Sequence, residues 1–444
     1  MTVSPIFKAY DIRGRTDIGE VTPEISRRLG VAVAGEVEES VVAVGRDCRL
    51  TSPDLFASLA VGLNAGGCDV LDLGEVPTEV VYQVSGERSV AGVMITASHN
   101  PPQYNGFKLC RSGAVPIGQD TGLGRIAEAI SRPALPEPGG GTVSRIDAIP
   151  GYVKHLFAVV PPESISELRV AADGGNGMAG TVLPLIFEEL SSSLTGLYLD
   201  PDGTFPNHPA DPLQVENVAE LISTVASGDF HLGVAFDGDA DRAFFVDDLG
   251  VPLSGSSTTA LIARWFLGNE PGAAVVHNLI CSRAVPETIV AAGGRPVRTR
   301  VGHSFIKAVM AKTNAVFGGE HSGHYYFRAN YRADSGMLAM LVLMRVLSES
   351  AQPLSELRKE VEPYHSSGEI NFEVADTDDA LDRVESAFSD FDIDLMDGLT
   401  VDLGPSWFNL RPSNTEPVVR LNVETPQPEI TRDLVNKLSR LLEA

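Results

Sequence analysis

The sequence predicts an α/β protein in which one unit recurs three times and a smaller α+β unit closes the chain. Three observations carry this. Short apolar runs alternate with helix-length segments along most of the 444 residues, the pattern of α/β architecture. The alternation falls into three blocks of three strands, each block ending in a polar loop. From about Ser366 the pattern stops, giving way to an acidic segment, a loop at Arg411–Pro417 and a final amphipathic helix.

In the first block, strands are expected at Val41–Gly45, Asp69–Leu73 and Ala91–Thr96. The second has them at Leu168–Ala172, Leu197–Leu199 and Leu232–Phe236, and the third at Ala274–His277, Arg295–Thr299 and Ala315–Phe317. The loops that follow the third strands are Ala97–Pro102, Asp237–Arg242 and Gly318–His324. Ligands in α/β sheets bind beyond the carboxyl ends of the strands, so three equivalent loops are expected to line one cleft. The Pro/Gly stretch Arg132–Gly141 reads as the first linker, with softer boundaries near Asp248–Gly250 and at Pro363.

Composition narrows the function. With 34 Lys+Arg against 59 Asp+Glu, the chain carries a formal charge of −25, which argues against nucleic acid as a partner because binding it needs a broad basic surface. An anionic small molecule remains compatible if cations gather in a cleft. No apolar run approaches the roughly 18 residues of a membrane span, and the first ten residues lack the basic-then-apolar order of a signal peptide. Cys48, Cys68, Cys110 and Cys281 are scattered without a C-x-x-C pair, as expected of reduced cytoplasmic thiols.

Four loops carry chemistry. Asp237-Gly-Asp-Ala-Asp-Arg242 sets three carboxylates at alternate positions with small residues between, a supply of hard oxygen ligands suited to Mg²⁺. An EF-hand would need Gly and Glu where Arg242 and Asp248 stand, and a solvated acidic turn is the plain alternative. Ala97-Ser-His-Asn-Pro-Pro102 presents the Ser98 hydroxyl at a strand end, beside His99, as a nucleophile or phosphate carrier; alone it also reads as turn chemistry. Gly319-Glu-His-Ser-Gly-His324 mixes a carboxylate, a hydroxyl and imidazoles, the groups that recognise sugar hydroxyls. Arg411-Pro-Ser-Asn-Thr-Glu-Pro417, followed by Arg420, offers guanidiniums, hydroxyls and an amide for a phosphate. Against these stands Gly175-Asn-Gly-Met-Ala-Gly180 with Asp200 beyond it, a literal dinucleotide fingerprint. It would make the protein an NAD(P)-dependent oxidoreductase and leave the other loops without a role.

Taken in order, the four loops resemble those of the α-D-phosphohexomutase family, over essentially the whole chain. Thr96-Ala-Ser-His-Asn-Pro101 resembles its phosphoserine loop, Asp237–Arg242 its metal loop, Gly319–His324 its sugar loop and Arg411–Pro417 its phosphate loop. Tyr10-Asp-Ile-Arg-Gly14 and Tyr104-Asn-Gly-Phe-Lys108 are similar too. The resemblance implies four domains around a central cleft: three similar α/β units with mixed sheets at 1–146, 147–250 and 251–364, and a smaller α+β domain at 365–444. Glu320-His-Ser-Gly-His324 resembles the phosphomannomutase/phosphoglucomutase branch, and phosphoglucosamine mutase is the runner-up. Where some members of that branch carry a lysine before Cys281-Ser-Arg283, this chain has Ile280.

The implied reaction interconverts hexose 6-phosphate and hexose 1-phosphate, with mannose and also glucose sugars, in the cytoplasm. Phosphate would reside on Ser98. Mg²⁺ would be held by Asp237, Asp239, Asp241 and a phosphoserine oxygen, and a hexose 1,6-bisphosphate would serve as intermediate and activator. Lys108, with Arg13 and His99, is the implied proton-transfer group, and Arg242 neutralises charge. Substrate would be held by Tyr10, His303, Glu320, His321, Ser322, Gly323, His324, Arg411, Ser413, Asn414, Thr415 and Arg420.

Overall fold

The expected threefold repeat is a repeat of sheet topology. The computed structural model describes residues 4–131, 140–412 and 418–443. The first linker, expected at Arg132–Gly141, lies outside these except for its last two glycines. In the first unit β1 (Ile12–Arg15), β2 (Val41–Arg46), β3 (Asp69–Glu75), β4 (Ala91–Ile95), β5 (Tyr104–Arg111), β6 (Val115–Pro116) and β7 (Val143–Arg145) form one sheet. Its order is β1-β5-β4-β2-β3-β7, with β6 alongside β5. The second unit has β8 (Arg169–Asp173), β9 (Ser193–Leu197), β10 (Leu232–Phe236) and β11 (Ala243–Asp247), ordered β11-β10-β8-β9. The third has β12 (Ala274–Asn278), β13 (Arg295–Thr299), β14 (Phe317–Gly319) and β15 (Tyr325–Phe327), ordered β13-β12-β14-β15.

Apart from β1, which pairs antiparallel with β5 at one edge, and the edge strands β6 and β7, the units repeat: the first strand (β2, β8 or β12) pairs in parallel with the second and third, while the fourth runs antiparallel to the third. These are the mixed sheets anticipated. The third-to-fourth connection is therefore a short hairpin at the carboxyl end of a buried strand, and the three polar loops are those hairpins. One strand falls earlier than expected: β9 occupies Ser193–Leu197, not Leu197–Leu199. It is the sheet edge, paired only with β8 and largely exposed, so its polar Ser193-Leu-Thr-Gly gave no apolar signal, and the chain turns at Tyr198 with φ of 52°.

The fourth unit is an antiparallel sheet of β16 (His365–Glu373), β17 (Asp392–Asp394), β18 (Leu399–Asp402), β19 (Trp407–Pro412) and β20 (Val418–Thr425), ordered β16-β20-β19-β18-β17. The helices Thr377–Ala387 and Pro428–Leu442 cover it, and its core is separate from the rest. The first three units, by contrast, share one continuous core that includes Val80, Tyr152 and Met337. Its spine is the helix Gly336–Glu349, where Met337 to Met344 are all fully buried. Among the described residues no single helix is long and apolar enough to cross a membrane.

That core contains a carboxylate. Glu79, on the helix Thr78–Arg88 of the first unit, is fully buried and accepts from Gly336 N at 2.8 Å and Met337 N at 3.2 Å. It also accepts from the Ser335 and Tyr152 hydroxyls, so one side chain joins three units at a helix N-terminus. Burial pushes its pKa up to about 8, against the hydrogen bonds that oppose it. The native state then keeps a proton that an unfolded carboxyl, with a pKa of about 4.3, releases. Stability from this group is full at acid pH and is lost as pH rises towards 8. Glu79→Gln, which cannot ionise, should remove that decline, a difference of roughly 2–4 kcal/mol between pH 5 and pH 8. Melting curves of both proteins across that range check this; parallel pH dependences would refute it.

Candidate active site

Ser98 sits on the β4–β5 hairpin in a left-handed conformation, φ of 51°, which a non-glycine residue holds only when its surroundings compel it. Its N–H donates to Thr96 Oγ1 at 2.9 Å, which turns the chain so that the hydroxyl faces the next unit. There Ser98 Oγ donates to Asp237 Oδ2 at 2.7 Å, a contact between residues 139 positions apart, and lies 3.1 Å from His99 Nδ1. A side chain at Gly238 would meet the Ser98 carbonyl at 2.5 Å, so the glycine between the first two aspartates is what allows the loops to touch. Burial, then the Arg242 and Arg13 guanidiniums, hold the His99 pKa well below the usual imidazole range, leaving a neutral ring.

Asp237, Asp239 and Asp241 are all buried and present oxygens within 4.8 Å of one another. Lys108, on β5, reaches across to them, donating to Asp239 Oδ2 at 2.6 Å and Asp241 Oδ2 at 2.5 Å. Burial opposes its charge, but the carboxylates prevail and its pKa is raised. Thr78 Oγ1 donates to Asp239 Oδ2 at 2.5 Å, and Arg242 Nε lies 3.6 Å from Asp237 Oδ2. Two buried oxygens, Asp239 Oδ1 and Asp241 Oδ1, have no hydrogen-bond partner. Two cations face three carboxylates, and two of the carboxylate oxygens are buried without a donor: the donor set fits a hard divalent cation.

The sugar-type loop is braced from behind. Glu320 Oε1 accepts from Gly302 N at 3.0 Å and Asn278 Nδ2 at 3.2 Å, and its Oε2 accepts from the Tyr326 hydroxyl at 2.7 Å. His324 Nδ1 lies 2.9 Å from Asp334 Oδ2, and Asp334 pairs with buried Lys307 at 2.8 Å. Tyr10 packs edge-on against His303, ring centroids 5.1 Å apart, with its hydroxyl on Val301 O. Gly323, at φ of 84°, lies against the Phe244 ring and shapes the turn. His321 points elsewhere. Its Nδ1 is 3.0 Å from Ser256 Oγ, and it lines a separate crevice with Ser282, Trp407 and Glu424. In the turn between the two strands, closed by the Gly323 N–H on the Glu320 carbonyl, Glu320, Ser322 and His324 line the cleft and His321 does not. Ile280 lines that same crevice rather than the cleft.

Arg411 on β19 and Arg420 on β20 are directly paired across the ladder, which puts both guanidiniums on one face. Both approach Glu369, at 3.7 and 3.3 Å, and both have a buried Nε without a partner. Ser413, Asn414 and Thr415 lie outside the described residues. A cleft of about 730 Å³ gathers Tyr10, Arg13, His99, Lys108, Asp241, Arg242, His303, Glu320, Ser322, His324 and Arg420. In a chain of charge −25 it collects Lys8, Arg13, Arg15, Lys108, Arg242 and Arg420 beside Asp11, Glu20, Asp241, Glu320 and Asp334. Cations for an anionic group and carboxylates for hydroxyls together suit an anion bearing hydroxyls.

Thr78, Asn278, Asp334 and Tyr326 carry no motif in the sequence, yet each hydrogen-bonds or pairs with a site residue here. The repeat offered one signal: the first strand of each unit runs into Asp47, Asp173 or Asn278 at its carboxyl end, and each side chain braces a loop there. The Gly175–Gly180 motif is packing. Side chains at Gly177 and Gly180 would strike Gly238 O at 2.6 Å and Leu199 O at 1.6 Å, and a four-residue 3-10 turn follows in place of a long helix. It presses the metal-type loop forward through Met178 N, which donates to Gly238 O at 2.9 Å.

A serine hydroxyl thus stands against a carboxylate cluster, with paired arginines and a polar cleft, on a four-unit frame. Profiles of the phosphoglucomutase/phosphomannomutase alpha/beta/alpha domains I, II and III match residues 4–135, 150–250 and 254–364, and that of the C-terminal domain matches 369–441. A protein of Xanthomonas campestris described as "Phosphohexose mutases" is 41% identical over 427 residues, 95% of each chain. An Escherichia coli K12 phosphomannomutase is 40% identical over 94% of each. The crystal structure of a phosphoglucomutase/phosphomannomutase family protein from Burkholderia thailandensis superposes with a TM-score of 0.91 at 32% identity, covering 100% of this chain and 98% of that one. The chain belongs to the phosphoglucomutase/phosphomannomutase family. Its activity is that of a phosphohexomutase, an intramolecular phosphotransferase, and the oxidoreductase reading is set aside.

Proposed function

We propose that the protein interconverts hexose 6-phosphates and hexose 1-phosphates, mannose and glucose before glucosamine, by way of a phosphate carried on Ser98. The observation that supports this most is the 2.7 Å contact of Ser98 Oγ with Asp237 across two units. Phospho-Ser98 gives its phosphoryl group to the free hydroxyl of a hexose monophosphate, leaving the serine hydroxyl and a hexose bisphosphate. The bisphosphate turns over in the cleft and returns its other phosphate to Ser98 Oγ, so no water is consumed. Mg²⁺ bound by Asp237, Asp239, Asp241 and a phosphoserine oxygen would supply charge neutralisation at the transferring group. Lys108 holds a proton next to the carboxylates for the departing oxygen, and Arg242 and Arg13 carry positive charge beside it. Arg411, Arg420 and the Ser413–Thr415 loop would hold the non-reacting phosphate, while Glu320, Ser322 and His324 hold ring hydroxyls. Relatives named phosphomannomutase support the sugar preference.

A coupled assay of mannose, glucose and glucosamine 1-phosphates tests this for the native protein and for Arg411→Ala. Mannose and glucose substrates should outpace glucosamine. Losing a charge-assisted contact of roughly 1.5–3 kcal/mol should raise KM about 10- to 100-fold while leaving the thermal midpoint near native. Equal glucosamine turnover would move the protein to the runner-up branch. An unchanged KM with collapsed stability would make the Arg411 hairpin structural.

A further inference from the structure

Arg49 follows β2 in the first unit and is 0% exposed, the largest of the fully buried side chains. A guanidinium has five N–H groups in a fixed planar fork, and here all five are used. Nε donates to Asp47 Oδ2 at 3.0 Å. Nη1 donates to Pro101 O at 2.7 Å and Tyr104 O at 3.0 Å. Nη2 donates to Ser98 O at 2.8 Å and Asn100 O at 2.7 Å. Four carbonyls of the Ser98 hairpin therefore converge on one cation. Asp47 fixes that cation in turn: its Oδ1 accepts from Arg49 N and Ser52 Oγ, and its N–H donates to Ile95 O at the end of β4. The Phe205 ring of the second unit covers the guanidinium face at 5.0 Å.

We propose that Arg49 is a positioning residue for phosphoryl transfer, holding the Ser98 hairpin so that its hydroxyl faces the aspartates. The inference rests on the reading of Ser98 as phosphate carrier. With the loop carbonyls drawn inward, the strained left-handed backbone at Ser98 is compensated and Oγ is left on the cleft side. Lysine keeps the charge but has three donors and no fork, so at least two of the five acceptors lose their partner.

Arg49→Lys should therefore lower kcat about 10- to 100-fold, the effect of a displacement of about 1 Å at a reacting group. KM should stay within about threefold, because Arg411, Arg420 and Glu320 lie on other units. As a second variant, Arg49→Ala should regain kcat on addition of guanidinium chloride but not of methylammonium chloride, since only the former supplies the fork. A folded Arg49→Lys with native kcat would overturn the proposal. So would a KM rise that matches the fall in kcat, or failure of both variants to fold, which would give Arg49 a folding role alone. Isotopic labelling separates the two readings. If the native enzyme never acquires labelled phosphate on Ser98 from substrate, the reading of Ser98 fails. If it does and Arg49→Lys still turns over normally, only this proposal fails.

Discussion

Replacing Ser98 by alanine is expected to reduce mutase turnover by about a thousandfold or more while substrate still binds. The hydroxyl at 2.7 Å from Asp237 is the acceptor and donor of every transfer in the proposed cycle, and among the described cleft-lining residues the other serine is Ser322, on the loop of the third unit. The substitution leaves Asp237 Oδ2 without its donor, at a cost of about 1–3 kcal/mol, which a folded protein of this core can bear. Binding persists because the groups that hold sugar and distal phosphate come from the third and fourth units. Two measurements decide the matter. Intact-mass analysis of the native protein should show a phosphate that maps to Ser98 and exchanges with labelled substrate. Turnover of dephosphorylated enzyme should be restored by catalytic glucose 1,6-bisphosphate, a priming requirement with no purpose in a phosphatase or a dehydrogenase. Full-rate interconversion without label on Ser98 would end this mechanism.

Asp239→Asn is the second large effect. Asp239 Oδ2 is engaged by Thr78 and Lys108, while Oδ1 is buried and unpartnered. Asparagine keeps the shape and removes a charge. Its amide must turn the NH2 either towards those two donors or towards the side left free for a cation, and each choice opposes one half of the site. Turnover should fall about 100- to 1000-fold, and Mg²⁺ titration should show weakened binding by calorimetry as well as in the assay. Native activity undiminished in excess chelator would remove the metal from the mechanism.

Legibility differed from residue to residue for physical reasons. Ser98, Asp237, Asp239, Asp241, Glu320 and His324 sit on hairpins that follow buried apolar strands, and such loops declare themselves by the abrupt change from apolar to polar residues. Arg49, Glu79, Lys307 and Asp334 gave no such sign. A lone charged residue in sequence reads as solvated surface, and its burial depends on acceptors supplied by chain segments tens or hundreds of positions away. His321 shows the opposite failure: it stands inside the most suggestive motif, yet the turn between the two strands carries its ring towards Ser256.

The sequence by itself determined the repeated unit, its three successive strands ending in a polar loop, and the identities of the loops that carry chemistry. These follow from local patterning, in which apolar periodicity chooses the element and Gly, Asn and Pro choose the turn. Only the tertiary structure decided through which atoms the hairpins touch, that Gly238 gives way to the Ser98 carbonyl, that strand order and pairing make each loop a hairpin, and that Lys108 reaches the aspartates from a neighbouring unit. Those outcomes depend on how the shared core of the first three units packs. Packing sums many weak contacts between distant residues, and no short stretch of sequence records that sum.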